Sequence, residues 1–567
     1  MLPLKKIIFI AVFLSYIFII ARPLIPGLTP GMFEFHDETQ AVRIMEFSEN
    51  LKNFQIPPRI APHFSFNLGF PVFNFYSPLA YWVGSFFYLL GLSAIGSLKI
   101  TFFLALLVGF VGMYLFLKEF FRFLASLLGA VLYVTSPWVA VEIFVRGNMA
   151  EVWFLALLPF ALYFLKINSY SKSRFVFALS VFIQFFTITS HNIFLLLYAP
   201  VAVLFILTLR NKRKNLASLF LSYLMSSYFM LPLIFENSLT YAQTIARQTY
   251  YGDHFLCLNQ IWTTPMWGFG GSLKGCTDAF SFMIGKLPIV LGGFGLLLFL
   301  IRIVRVKKYF YNNLTHIVLM VFGIVSIFLT LYESTFLWKL FEPVLSLFQF
   351  PWRFLVFGLF ATCFFAAYAA SFYYKKIVKI VTLILIVVAM FTSIKFFYRN
   401  EVSKSDYIKL YVSDAYLANR AAYDIPEYLP KSANLQSWLA LKKDAQKQNY
   451  PIIYDRFESL DGKRVSYINE SLFKSTIETN SKNVRINIHY FPFWIISVNE
   501  KKLSALSTDS LGRPTIKLDG GLNKVQVLYD QTVIEKIANW LTCLSVVAVI
   551  IITFNKRIWH KIKFITT

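Results

Sequence analysis

Acidic side chains are scarce in this chain, 29 Asp and Glu against 54 Lys and Arg in 567 residues, and charged residues of both signs make up only 15%. So thin a polar complement excludes an ordinary soluble domain. Cysteine is nearly absent, and four residues without clustered ligand spacing exclude a disulfide-built scaffold and a zinc-finger framework. Neither a Walker loop nor a G-x-G-x-x-G fingerprint occurs, which removes the usual marks of nucleotide binding. No internal repeat is visible. What the chain has in abundance is apolar surface, 57% hydrophobic residues with 63 Phe and 31 Tyr, arranged in runs of membrane length. It reads as a polytopic helical membrane protein.

The formal charge of +25 would point a soluble protein toward nucleic acid. Here the basic residues gather in short links, KINSYSKSR (166–174), RNKRKN (210–215), RIVRVKK (302–308), YYKKIVK (373–379) and KRIWHKIK (556–563), none of which carries an acid. Retention of positive loops on the cytoplasmic side accounts for that pattern, and no nucleic-acid partner is expected. The links 22–76, 236–286 and 333–349 mix acids, aromatics and polar residues, and are expected to face outward.

The first 24 residues have a basic start, a long apolar core and no small-residue cleavage pattern, as a retained signal anchor would. Further spans are expected near 98–117, 124–144, 150–167, 174–190, 192–209, 216–235, 287–304, 314–332, 351–372, 377–396 and 538–554, about 12–13 transmembrane helices in all. Residues 78–92 pose a parity problem: a crossing there would put the later basic links on the wrong side relative to Lys5 and Lys6. At about 15 residues, rich in Tyr, Trp, Phe and Gly, that piece suits an interfacial or re-entrant helix.

The expected organisation is a membrane domain over 1–398 with a first outward loop at 23–76. A polar domain over 399–537 follows, and then a last span and basic tail over 538–567. Within the polar domain YLPKSANLQSWLALKKDAQKQ reads as helical or irregular. From Lys463 the alternation in VRINIHY and KVQVLYD, with turns at Asn499-Glu500-Lys501, Leu511-Gly512-Arg513-Pro514 and Asp519-Gly520-Gly521, predicts a small β-sandwich. Cys257 and Cys276 share one outward loop, where a bridge is open to them in an oxidising compartment.

Ionisable groups beside a bilayer are expensive unless they do chemistry or bind charge, and one cluster has that character: Phe35-His36-Asp37-Glu38-Thr39-Gln40, followed by the aromatic run GFPVFNFYSPLAYW (69–82). Together with PPRIAPHFSFNLGFPVFNFYSPLAYW (57–82), RGNMAEVWFLALLPF (146–160), SHN (190–192) and FQFPWRFL (348–355), HDETQAVR (36–43) resembles the bacterial membrane family labelled 6-pyruvoyl-tetrahydropterin-synthase-related, up to about residue 375. YFPFWIISVNEKKL (490–503) and LDGGLNKVQVLYD (518–530) are similar to the outward β-domain of large bacterial glycosyltransferases that modify lipid-anchored envelope polymers. Both groups look like GT-C glycosyltransferases. The resemblance implies a GT-C-like helical fold with an extracytoplasmic C-terminal β-sandwich-like domain, in the bacterial cytoplasmic membrane. It implies inverting transfer of a sugar from a polyprenyl-phosphate donor to a cell-envelope glycan or lipid acceptor at the outer face. Pterin chemistry is not expected, because the seven histidines are scattered rather than spaced as zinc ligands.

Such transfer needs a base for the acceptor hydroxyl and positive charge or a metal at the leaving phosphate. The resemblance assigns the base to a first-loop acid, here Asp37, with Glu38 second and His36 alongside. Arg43, Arg59, Arg146 and Arg353 are the candidate phosphate ligands, since a guanidinium grips phosphate with two donors, and Arg146 and Arg353 sit at expected span ends. His191 and Asn192 interrupt an apolar stretch at a similar level, Tyr76 and Trp82 offer stacking surfaces, and Glu151 accompanies Arg146. No cofactor is called for with certainty, and a divalent metal is an option. Each residue also has a plainer reading. Asp37 and Glu38 suit the start of a loop helix near Thr39. Arg146 and Arg353 suit snorkelling, His191 a helix end, Tyr76 and Trp82 an aromatic belt, and Glu151 a simple pair with Arg146 five residues away. Two other function classes stand beside the enzyme: a lipid or glycan transporter, for which discontinuous helices and two corresponding halves are expected, and a non-catalytic glycan-binding protein.

Overall fold

The computed structural model describes residues 4–246, 250–263, 272–371, 376–399, 401–420, 426–448, 452–504 and 506–555. The basic tail at 556–563 and the start of the link at 373–379 lie outside the described residues.

Among the described residues seven helices are long and apolar enough to cross a membrane: Ala94–Lys118, Phe123–Phe144, Met149–Tyr170, Lys286–Arg305, Pro351–Ser371, Lys376–Phe397 and Val533–Phe554. The chain is thus a membrane protein in its own architecture, but the expected dozen spans are not all of full length. Arg174–Ser190, Phe194–Leu207 and Leu314–Thr330 have 17, 14 and 17 residues. At 1.5 Å per residue these rise about 21–26 Å, short of a hydrocarbon core of about 30 Å. Leu79–Leu89, within the ambiguous stretch 78–92, has 11 residues and rises only about 17 Å.

The stretch expected to span at 216–235 is two helices, Lys212–Met225 and Ser227–Phe235, bent by 64°. Backbone groups freed at such a bend need partners in an apolar medium. They have them: Tyr228 N–H donates to the Thr542 hydroxyl at 2.9 Å, and the Tyr228 carbonyl accepts from Arg59 at 2.7 Å. The bend is therefore clamped by the final helix and the first loop.

Beyond Lys376–Phe397 the polar region carries the short helix Lys404–Tyr411 and the amphipathic helix Leu435–Gln448, and then strands. Five antiparallel strands run in the order Val465–Glu470, Lys474–Thr479, Asn523–Tyr529, Trp494–Val498, Lys501–Lys502, and four more in the order Phe457–Ser459, Asn483–Ile486, Pro514–Lys517, Ser507–Thr508. In Asn523–Tyr529 the alternation puts Val525, Val527 and Tyr529 inside while Lys524 is exposed. The turn at Asn499 and Glu500 has φ of 47° and 69° at the two residues, the left-handed pair that a two-residue hairpin requires.

This β-rich region is docked on the first loop. Tyr454 N–H donates to the Phe66 carbonyl at 3.1 Å and His489 N–H to the Leu68 carbonyl at 2.8 Å. The Ser65 hydroxyl accepts from Trp438 Nε1 at 2.7 Å and lies 2.7 Å from His489 Nε2. The other His489 nitrogen faces the Leu511 carbonyl at 2.8 Å, which fixes the tautomer with the proton on Nδ1. Cys257 and Cys276 are disulfide-bonded across their loop, at a Cα–Cα distance of 5.5 Å.

Candidate functional site

The loop between Pro137–Phe144 and Met149–Tyr170 is built by its sequence. Gly147 turns the chain at φ +64°, and Asn148 accepts from Glu151 N–H at 3.1 Å to start the next helix. This sharp reversal brings Arg146 back over both helices. Its Nη1 lies 2.6 Å from both Glu142 oxygens and 2.5 Å from Glu151, and Nη2 is 3.1 Å from Glu151. The spacing of five between Arg146 and Glu151 is thus no obstacle, because the two residues are not on one continuous helix.

Arg353, on the short turn Pro351–Phe354, donates from Nε to Glu151 at 3.1 Å and from Nη1 to the Phe348 carbonyl at 2.7 Å. His191 accepts at Nδ1 from the N–H groups of Ile193 and Phe194, at 3.1 and 3.2 Å, and so caps the next helix. The proton is left on Nε2, which faces Glu151 Oε1 at 3.7 Å. Four elements therefore meet at the Glu151 carboxylate. With two arginines and two glutamates the cluster is balanced in charge, and Glu142 and Glu151 are both fully buried. The Arg146 guanidinium also lies over the Trp352 ring at 4.4 Å.

The acid-bearing segment is fastened to the same loop by its backbone. His36 N–H donates to the Val145 carbonyl and Asp37 N–H to the Arg146 carbonyl, each at 2.9 Å. The helix Gln40–Lys52 starts just after, with Thr39 at its cap position making no side-chain cap bond. Gln40 Nε2 reaches the Asp37 carboxylate at 3.5 Å and the Gly147 carbonyl at 3.3 Å, and its oxygen accepts from Tyr81 at 2.8 Å. Arg43 donates to the Tyr81 hydroxyl at 3.2 Å and lies over the Tyr76 ring at 4.8 Å. Among the described residues no carboxylate is within 4.0 Å of Arg43, although it is only 2% exposed and its Nε has no partner.

His36, Asp37, Arg43, Tyr76, Arg146, Glu151, His191 and Arg353 thus converge on one end of the helical bundle. Other expected residues do not join them. Glu38 is half-buried on the side of Tyr407. Asn192 follows the His191 cap in the turn before the next helix. Trp82 packs on Phe47, at 5.1 Å between centroids. Glu142, Gln40 and Tyr81 also belong to the candidate site; Gln40 ends the polar stretch 35–40 and Tyr81 lies in the aromatic run 69–82, but the sequence reading gave none of the three a role. An acid within the apolar run PWVAVEIF, four residues before Arg146, was the available signal for the first; neutral Gln and Tyr gave none. Among the described residues no three His, Cys, Asp or Glu side chains converge to hold a metal ion, so no step is assigned to one.

Arg59 anchors a second polar cluster. It donates to Asn74 at 3.1 Å, to the Tyr228 carbonyl and to Asn539 at 3.0 Å, while Asn74 donates to Glu535 at 2.6 Å and Glu236 at 3.3 Å. Burial, then repulsion from Glu535, push the Glu236 carboxyl up to about 7, against the pull of the Thr532 hydroxyl and Arg59. A carboxyl raised from its ordinary 4.5 is favoured as the acid in the folded chain, so stability falls as pH rises from about 4.5 to 7. Glu236→Gln should flatten that fall in thermal melts between pH 5 and 8; equal slopes in both proteins would remove Glu236 as its source.

Gly147 allows a second test. Its left-handed φ disfavours any side chain, and an added Cβ would lie 1.9 Å from Phe35 Cδ2. Gly147→Ala is expected to lower stability by about 2–4 kcal/mol, from backbone strain and overpacking together. An unshifted melting temperature would show that the turn relaxes freely.

No curated protein matches the chain. Among solved structures, the Archaeoglobus fulgidus oligosaccharyltransferase in the apo form is similar with a TM-score of 0.43 and 13% identity, over 82% of this chain and 62% of that one. The archaeal oligosaccharyltransferase AglB from Archaeoglobus fulgidus, in complex with an inhibitory peptide and a dolichol-phosphate, gives 0.44 and 13% over the same shares. The chain therefore spans less than two thirds of the length of these archaeal chains. The family described as 6-pyruvoyl-tetrahydropterin synthase related domain, a membrane protein family, matches residues 73–398, which is more than half of the sequence and includes Arg146, Glu151, His191 and Arg353; the chain belongs to that family.

Proposed function

We propose that this protein is a membrane glycosyltransferase that moves a sugar from a polyprenyl-phosphate donor to a cell-envelope acceptor at the outer face of the bacterial cytoplasmic membrane. The observation that carries this reading is a backbone-anchored carboxylate, Asp37, near a buried guanidinium, Arg43, that has no carboxylate within 4.0 Å among the described residues. A buried cation without an anion in direct contact is costly, and a phosphate would supply one.

Charge balance decides which arginines are available. Arg146 is taken up by Glu142 and Glu151, whereas among the described residues Arg43 has no acid within 4.0 Å and Nη2 of Arg353 makes no protein hydrogen bond. In the reaction Asp37 accepts the acceptor's O–H proton as that oxygen bonds to the anomeric carbon. The bond from that carbon to the phosphate oxygen breaks, its electron pair leaves with the phosphate, and the added negative charge is met by Arg43 and Arg353. A single displacement inverts the anomeric configuration.

Two features support the orientation. The basic links 166–174, 210–215 and 302–308 lie at the opposite ends of their helices from the cluster, and the Cys257–Cys276 bridge suits an oxidising compartment at the cluster's end.

The bent pair Lys212–Met225 and Ser227–Phe235 is the feature that favours a transporter, since broken helices line many substrate paths. At this bend, however, the freed groups are already occupied by Thr542 and Arg59. The deciding experiment is transfer of radiolabelled sugar from polyprenyl-phosphate donors by purified full-length protein. Transfer above the protein-free blank is expected. A folded, monodisperse protein that transfers nothing from any donor, yet moves lipid or glycan across liposomes, would replace this reading with the transporter.

A further inference from the structure

A cavity of about 530 Å³ lies outside the Asp37 site, among the break at Thr135 and Ser136, the start of Lys286–Arg305 and the last turns of Lys376–Phe397. Its volume is within the range of small-molecule pockets, about 300–1,000 Å³. The segment 280–284 forms the partition. Phe280 faces His36 at 5.7 Å and Trp352 at 5.8 Å, and Phe282 stacks on Trp138, while the alternate residues Ser281 and Met283 line the cavity. Alternate residues of one segment thus face the site and the cavity.

The surroundings are those of a site open to the bilayer. Only 22% and 28% of the apolar windows of Lys286–Arg305 and Lys376–Phe397 are buried inside the protein, so both helices present apolar faces outward around the cavity. Val290, Phe294, Val387 and Phe391 are all exposed there. At the rim stand Lys286, in the first turn of one helix, and Lys395, in the last turn of the other, both exposed. Among the described residues no carboxylate lies within 4.0 Å of either ammonium group.

The hydroxyls define the ligand further. Ser136 donates to the Ile284 carbonyl at 2.6 Å, Thr392 to Val388 at 2.8 Å and Ser393 to Ala389 at 2.6 Å. Their protons are committed, so each offers a ligand only acceptor lone pairs. A molecule matched to this lining has an apolar chain, a negative charge for the two lysines and hydroxyl donors for the serines and threonines. We infer that the cavity binds a lipid whose phosphate carries a hydroxyl-bearing headgroup. Two sources have this chemistry, a resident phospholipid with a polyol head and a polyprenyl phosphate bearing a sugar. The binding itself does not depend on the transfer reading.

Native mass spectrometry of the delipidated full-length protein, titrated with dioleoylphosphatidylglycerol or dioleoylphosphatidylcholine, tests this. Retention of phosphatidylglycerol should exceed that of the zwitterionic, hydroxyl-free lipid by about tenfold or more, and Lys286→Gln with Lys395→Gln should remove that preference. Both lysines are exposed, so the double variant is expected to fold. Ala389→Trp, which fills the cavity, should lower retention with the lysines intact. Equal retention of the two lipids, or an unchanged preference in the double variant, would overturn the inference. A polyprenyl-phosphate hexose that displaces the phosphatidylglycerol would identify the sugar-bearing lipid as an occupant; bound phosphatidylglycerol that stays in place would identify a resident phospholipid.

Discussion

Replacing Glu151 with alanine is expected to lower the unfolding free energy by about 3–5 kcal/mol, because it leaves two buried guanidiniums facing the single carboxylate of Glu142. Glu151 is where Arg146, Arg353 and the proton-bearing edge of His191 meet, and it is fully buried. Glu151→Gln keeps the volume and a hydrogen-bond acceptor but not the charge, so it should fall between wild type and alanine. Thermal melts of the purified protein would check this, with a drop of several degrees expected for the alanine variant. Arg353→Met combined with Glu151→Gln should be less destabilising than the sum of the two single changes, since one buried charge then no longer lacks its partner. Wild-type melting of both Glu151 variants would mean that apolar packing alone holds these four elements together.

Asp37→Asn should behave in the opposite way, losing activity while retaining the fold. The anchor of this segment is backbone, from Asp37 N–H to the Arg146 carbonyl, and asparagine preserves both that bond and an oxygen toward Gln40. Loss of a positioned general base typically reduces rate by about 10²–10⁴-fold. Sugar transfer by the variant should therefore drop by that order, with the melting temperature unchanged. Full transfer by Asp37→Asn would move the role to Glu38, for which Glu38→Gln is the corresponding experiment. A parallel fall in activity and melting temperature would make Asp37 a structural residue at the start of the loop helix.

Hydropathy made most of the membrane architecture legible, since long apolar runs have few alternatives. It overstated full-length crossings where an apolar stretch such as 192–209 becomes a 14-residue helix, Phe194–Leu207. Run length in sequence does not reveal where a helix gives way to a turn. Residue by residue, ionisable groups in apolar surroundings marked many of the side chains that the fold brings together at one end of the bundle. Whether Arg146 binds a ligand or Glu151 depended on the reversal at Gly147, and the Gly-Asn pair there is a turn signal that gains its meaning from the two helices it joins. Arg59 shows the harder limit. It resembles the other loop arginines in sequence, but its partner Asn539 is 480 positions away, and no local pattern carries such a contact.

That separation also sets an order of assembly. Arg59 and Asn74 belong to the loop beside the site, yet their hydrogen-bond partners Glu535 and Asn539 are on the Val533–Phe554 helix. During synthesis from the N-terminus, the ribosome must add more than four hundred further residues before these polar groups can be satisfied. Contacts so distant in sequence form late, after the earlier helices have been inserted. The helix Val533–Phe554 thus acts as a keystone, completing the polar contacts of the first loop from more than four hundred residues downstream.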